Sequence, residues 1–295
     1  MSRFILKWEI DNQDAGKMVK KFLKEKCISK TALTDIKFKG GRIDINGKEV
    51  NVRYYLQADD HLTVHFPIEE PSTGLRGENI PLNILYEDDY VMVVNKPFEM
   101  NTIPSREHPT GSLANALIGY FQKIGLQATT HIVTRLDRNT SGLVLIAKHR
   151  HVHHLLSNEQ KAGRVKRVYE AFAEGILKEK TGKIEVPIGR KVNSIIEREV
   201  RQDGQYALTH YQVIQSYSRF TWLRLQLETG RTHQIRVHLS FIGHPLVGDE
   251  LYGGQLNLME RQALHCWKLI FVHPILGKQL EFTAPLPSDM KALLS

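Results

Sequence analysis

The stretch HIVTRLDRNTSGLVLIAKH, residues 131–149, sets one acid, Asp137, between Arg135 and Arg138 and then runs into an apolar segment. That segment, LVLIAK, has the length and composition of a buried strand. Upstream, SLANALIGYFQKIG (112–125) places Leu113, Ala116, Leu117, Tyr120 and Ile124 on one face. Ser112 stands before it as a cap and Gly125 after it as a stop, so the pattern predicts an amphipathic helix. Asp137 is therefore expected in a turn that feeds a core strand. The short residues Thr140, Ser141 and Gly142 are expected to let hydroxyls and backbone N–H groups approach its carboxylate. A loop acid on a rigid support is a common place for a catalytic group. The same run also suits a plain salt bridge or turn contact.

Working outward, LETGRTHQIRVHLSFIGHPLVGDELYG (227–253) predicts a helix capped by Thr232 and running to Ile242. Ile235, Leu239 and Ile242 form its core face, Gly243 stops it and Pro245 lies beyond. Arg236 sits on that helix beside a core position, and an arginine there needs an anion. Asp137 is the candidate. An anionic carboxylate is what a nucleophile or base must present, and a neighbouring cation favours that form. Arg231, just outside the helix, can meet phosphate. GHPLVGDELYG either shapes a cleft wall or simply turns the chain.

RVKRVYEAFAEG (164–175) predicts a strand with a basic entry that includes Arg167. Tyr169 on it is either core or a surface for a base to stack on. His149, His151, His153 and His154 cluster in HRHVHH, but no cysteine or acid stands nearby at metal-ligand spacing. That cluster is expected to be a surface or RNA-facing patch, and no metal site is expected. His233 and His238 are off the spacing of a helical zinc pair. The chain has neither GxxxxGK[ST] nor GxGxxG, which argues against an NTPase or a dinucleotide enzyme.

The 295 residues are 41% hydrophobic and 24% charged, enough for two packed domains, with a net charge of +8. The excess is concentrated. Residues 15–53 hold eleven basic and four acidic side chains. Within them, Ala15, Val19, Phe22 and Leu23 recur at helical spacing, and Ser29 can cap a second helix bearing Leu33 and Ile36. Gly40-Gly41 ends it, and Asn46-Gly47 signals a hairpin. The lysines are either a solvated face or a grip on phosphates. PIEEPSTGLRGENIPLN then reads as a mobile linker. The expected division is an α/β module over 1–70, a linker over 71–80 and an α+β sheet domain over 81–295. Cys27 and Cys266 give no disulfide framework, and the cytoplasm is the expected compartment. The start of the chain is not a signal peptide, and no apolar run approaches membrane-spanning length.

Taken in order, NILYEDDYVMVVNKP, RLDRNTSGLVLIAK, VYEAFAEG, TGRTHQIRVHLSFIGHPLVGDELYG and ALHCWKLIFVHPILGKQLEFTAPLP resemble the RluA-type pseudouridine synthases. The resemblance spans residues 82–290. Residues 9–66, above all GGRIDINGKEV, resemble the alpha-L RNA-binding module of a ribosomal small-subunit protein. The resemblance implies a catalytic domain on a mixed, mostly antiparallel sheet, with no cofactor and no metal. It implies an enzyme that acts on ribosomal or transfer RNA; a monomer is expected, though no feature of the sequence fixes the oligomeric state. Uridine would become pseudouridine by cleavage of N1–C1′, rotation of the uracil and rejoining through C5. Asp137 would be the catalytic carboxylate, Arg236 its partner, Arg135 the residue that displaces the target base and Tyr169 the stacking tyrosine. Arg167, Arg231 and His233 would meet RNA at the cleft, and Lys20, Lys30 and Arg42 would meet it on the first module. Two positions and one run depart from the family pattern: Thr134 replaces a histidine, Arg167 a lysine, and Phe98 to Ile103 replace a run with a small residue, a glycine and later a histidine. Two other readings stay open: a non-catalytic RNA-binding or ribosome-assembly factor, and a metal-dependent RNA hydrolase.

Overall fold

The computed structural model describes residues 4–72 and 74–294. The N-terminal part runs β1 (Ile5–Glu9), α1 (Val19–Glu25), α2 (Lys30–Phe38), β2 (Arg42–Ile45), β3 (Lys48–Glu49) and β4 (His61–His65). These strands form one antiparallel sheet in the order β1-β4-β2-β3. Ser29 caps α2 as expected, its Oγ accepting from Ala32 N–H at 3.1 Å. Asn46 and Gly47 both take left-handed backbone, φ 51° and 80°, which is the signature of a tight hairpin turn whose twist matches the strands. Val19, Phe22, Leu23, Ile36, Ile43, Leu62 and Val64 bury themselves in this unit's own core. Strand β1 was not expected. Its charges, Lys7 and Glu9, hid a period of two in which Leu6 is buried and both charged residues face out.

The rest runs β5 (Ile84–Glu87), β6 (Val91–Lys96), α3 (Leu113–Lys123), β7 (His131–Ile132), β8 (Ser141–Ala147), α4 (Arg150–Lys161), β9 (Lys166–Glu174), β10 (Thr181–Glu185), β11 (Ile188–Arg190), β12 (Arg198–Val200), β13 (Leu208–Ser216), β14 (Phe220–Leu227), α5 (Gln234–Phe241), β15 (Leu264–Val272), β16 (Gln279–Thr283) and α6 (Ser288–Lys291). One large sheet runs β10-β13-β14-β9-β15-β8-β6-β5, with β16 and β7 paired off that path, and β11 and β12 form a separate two-stranded sheet. Only the β15–β8 pair is parallel, so the sheet is mixed and mostly antiparallel. Every residue of β8 is buried, as a strand in mid-sheet with apolar side chains on both faces must be. Helix α3 starts on a reciprocal cap between Ser112 and Asn115. Its Leu113, Leu117 and Phe121 join Val152 and Leu156 of α4 in the core of β6 and β8. Ile124 is exposed at the end of α3 rather than on its buried face.

The histidine cluster is not a surface patch. His149 and His151 are buried against rings of the N-terminal unit, and His153 and His154 are half-buried. Phe4 stacks on His149 with ring centroids 4.2 Å apart, and Phe66 on His151 at 5.4 Å. Burial pulls both imidazoles down to about 4. Beside them Arg150 reaches Asp35 at 3.2 Å, and Glu69 accepts the Arg150 N–H and pairs with His131. The linker is hydrogen-bonded to the domain that follows it. Ser72 N–H donates to Thr129, Asn115 donates to the Arg76 carbonyl, and Glu78 N–H donates to the Asn115 carbonyl. The sequence alone suggested mobility because such partners lie 37–57 residues away. Of the linker residues, Thr73 lies outside those described.

Candidate active site

Asp137 lies in the turn between β7 and β8, and that turn is pinned by its backbone. Thr102 Oγ1 donates to the Leu136 carbonyl at 2.6 Å and accepts the Leu136 N–H at 3.1 Å. Lys96 Nζ donates to the carbonyls of Pro97, Met100 and Arg138 at 2.8, 2.8 and 3.2 Å. Arg261, itself clasped by Asp289, donates to the Asn139 carbonyl at 3.0 Å. Just beyond, Gly142 (φ 114°) lets β8 press against β15: a Cβ there would meet the Cys266 carbonyl oxygen at 2.4 Å.

The expected hydroxyl and N–H contacts to the Asp137 carboxylate are not what holds it. Thr140 and Ser141 are buried and face elsewhere, Ser141 bonding to His265 at 2.9 Å and Thr140 accepting from Gln262. The carboxylate, 29% exposed, is met by cations and imidazole instead. Its Oδ2 lies 3.4 Å from Arg236 Nη1 and 3.8 Å from His233 Nε2.

Arg236 has a stronger partner that the sequence did not disclose. Its Nε and Nη2 both donate to Asp249, each at 2.8 Å. Asp249 comes from the loop GHPLVGDELYG, which therefore does shape the site. Burial alone would pull the guanidinium down, but Asp249 and then Asp137 hold it above its ordinary value. Its carbon also lies 4.9 Å from the Tyr252 ring centroid. Helix α5 is capped differently from expectation. His233, not Thr232, is the N-cap, in left-handed backbone with φ 57°. No side chain caps the helix; Gln234 Oε1 instead reaches back to accept from Arg231 N–H at 3.0 Å and the Thr229 hydroxyl at 2.8 Å, bracing the turn before it.

The other expected residues are spread around this centre. Tyr169 on β9 is only 3% exposed, so its ring is a buried wall. Its hydroxyl accepts from Arg167 at 3.4 Å, and burial pushes its phenol well up. Stacking a base on that ring requires the covering side chains to move. Arg231 donates to the Tyr206 carbonyl at 3.0 Å. Arg135 is exposed on the turn. Lys20 and Lys30 are exposed on the N-terminal unit, and Arg42 is exposed there but paired with Asp44 at 2.9 Å. Lys96, wholly buried, was quoted within NKP without a role. Burial pulls its amine down to about 7 while the charge of Asp137 opposes that. Its signal was a lysine closing an otherwise apolar strand, VMVVNK.

The fold defines the class. Human RNA pseudouridylate synthase domain containing 1 is similar at a TM-score of 0.58 and 25% identity, over 73% of this chain and 86% of that one. The large sheet is thus that of an RNA-modifying isomerase. A family model described as RNA pseudouridylate synthase matches residues 90–241. The uncharacterized RNA pseudouridine synthase YjbO of Bacillus subtilis is 52% identical over 94% of this chain and 98% of its own. Ribosomal large subunit pseudouridine synthase D of Haemophilus influenzae is 40% identical over 77% of this chain and 74% of its own. The chain belongs to the RNA pseudouridylate synthase family and is an RNA pseudouridine synthase, an isomerase.

Proposed function

We propose that Asp137 is the catalytic carboxylate and that the substrate is a uridine of ribosomal or transfer RNA. Relatives named ribosomal large subunit pseudouridine synthase D favour large-subunit ribosomal RNA. The observation that carries the proposal is a partly exposed carboxylate braced on one oxygen by a buried arginine. In the reaction the N1–C1′ bond breaks and the uracil leaves with the bonding pair. The base turns, C5 bonds to C1′, the C5 proton departs and N1 takes one up. Atoms balance without a co-reactant. Asp137 acts at the sugar, either by stabilising positive character, by attacking C1′ or by taking the C2′ proton.

A stacked uridine must first be extruded, at a cost of a few kcal/mol. Arg135, exposed on the turn, fills the space left behind. Tyr169 lines the pocket that receives the base, and stacking contributes about 1–3 kcal/mol. Arg167, Arg231 and His233 complete the cleft wall. Residues 1–70 form the RNA grip, with Lys20, Lys30 and Arg42 on phosphates, and residues 71–80 join it to the catalytic part, 81–295. The enzyme acts in the cytoplasm, a reading supported by two free cysteines, and acts as a monomer. No helix among the described residues is long and apolar enough to cross a membrane.

The test uses RNA carrying tritium at uridine C5. Asp137→Asn should abolish tritium release and leave RNA affinity within about threefold, because the carboxylate acts on the reacting nucleotide and the phosphates are held elsewhere. Release at the wild-type rate from that variant overturns the assignment. Mapping pseudouridines in RNA from cells with and without the gene identifies the target.

A further inference from the structure

Arg236 is committed to two acids, and unequally. Its paired bonds go to Asp249, and a single contact of 3.4 Å reaches Asp137. One long contact leaves a carboxylate free to turn about its own axis. The second group facing it is His233, whose Nε2 is 3.8 Å from the same oxygen, Oδ2. Asp137 Oδ1 has no hydrogen-bond partner among the described residues.

The other edge of the imidazole is fixed. His233 Nδ1 lies 2.7 Å from the Tyr252 hydroxyl, and that oxygen accepts the backbone N–H of Arg198 at 3.0 Å. With the Arg198 N–H filling an acceptor position, the hydroxyl proton has one acceptor in reach, His233 Nδ1. The neutral ring then carries its own proton on Nε2, pointed at Asp137. The reverse tautomer would leave the hydroxyl proton without an acceptor and set a lone pair against a carboxylate. Burial pulls the ring below its ordinary value, against the opposing pull of Asp137. The left-handed backbone at His233, a conformation that costs about 1–2 kcal/mol, is the kind of strain found at working positions.

We propose that His233 and Tyr252 are positioning residues that, with Arg236, lock Asp137 by Oδ2 and so make Oδ1 the oxygen presented to the ribose. The 3.8 Å gap is too long for a hydrogen bond. It closes when RNA binds, as contacts at reacting centres commonly do. This proposal rests on Asp137 as the catalytic carboxylate.

The experiment measures single-turnover tritium release with saturating full-length enzyme, alongside RNA affinity by filter binding and thermal melting. The variants are Asp137→Asn, His233→Asn, which tolerates the left-handed backbone, Tyr252→Phe, which keeps the ring under Arg236, and the His233→Asn/Tyr252→Phe double. Misplacement by about 1 Å can cost roughly 100-fold. We expect His233→Asn and Tyr252→Phe each to slow release at least about 10-fold, with RNA affinity within about twofold. The double variant should be no slower than His233→Asn, because the two groups act as one chain. Wild-type release from His233→Asn, a defect confined to RNA affinity, or independent multiplication of the two defects overturns the proposal while Asp137→Asn stays dead. Activity in Asp137→Asn instead overturns the underlying reading. If His233→Asn fails to melt as a folded protein, Tyr252→Phe alone decides: unchanged release overturns the brace.

Discussion

At the scale of single residues, the site depends on one guanidinium shared between a buried acid and a cleft acid. Asp249 has a side chain only 1% exposed, so Asp249→Ala leaves Arg236 buried with its weaker partner alone. Breaking such a pair costs about 3–5 kcal/mol. Urea denaturation should show a loss of that order, and tritium release should fall with it, because Arg236 is then free to swing toward Asp137 and displace it. An unchanged denaturation midpoint would mean that the pair is not needed for the fold. The same reasoning warns against reading Arg236→Ala as a purely catalytic defect, since it strands Asp249 as well. An arginine beside a core face demanded an anion, and Asp137 was the anion with a motif around it. Asp249 was invisible because it stands 13 residues on, in a glycine-rich return with no periodicity to place it. Lys96 was hidden for a related reason: its three acceptors are carbonyls, and carbonyls are the same at every position of any sequence.

At the scale of elements, what was legible was what has a period. Strand β8, helix α3 and the Asn46-Gly47 hairpin follow from alternation, helical spacing and turn chemistry, and each forms close to where the pattern put it. What was not legible depended on partners far away. Strand β1 exists because β4 receives it, and α5 begins at Gln234 because that side chain finds Thr229 and Arg231. The junction of β8 and β15 offers a direct test of close approach. A methyl group at Gly142 would lie 2.4–2.5 Å from the backbone oxygen and nitrogen of Cys266, at a φ of 114°. Backbone atoms cannot rotate away as a side chain can, and left-handed strain adds to the collision. Gly142→Ala should therefore lose at least about 3 kcal/mol or fail to accumulate as folded protein. A melting temperature equal to the parent's would show that the two strands can part without harm.

At the scale of the whole molecule, the N-terminal unit meets the rest of the chain at rings whose burial opposes their charging. His149 and His151 stack on Phe4 and Phe66, and the charged or titratable groups acting on them are Glu69, Lys148, His131 and His154. Their folded values, about 4, lie below the ordinary 6.5 of histidine. The sign follows from linkage: the unfolded or undocked chain takes up protons first. Their contribution is complete above about 6.5 and drains away as pH falls toward 4, by on the order of 3 kcal/mol for each ring. Stability to urea should drop between pH 7 and pH 5 in the parent and drop less in a His149→Phe/His151→Phe double variant, which retains stacking but cannot charge. Equal drops in the two proteins would remove these histidines as the cause. None of this was legible in HRHVHH, because the rings that bury the histidines arrive from residues 4 and 66. The anchored linker has a consequence for substrate choice. If the N-terminal lysines clamp phosphates as proposed, clamp and reaction pocket are joined by a hydrogen-bonded linker and would work as a ruler. An RNA would then be accepted when its tertiary shape already spaces the gripped phosphates and a flippable nucleotide by that span, and a short oligonucleotide unable to bridge it would bind more weakly.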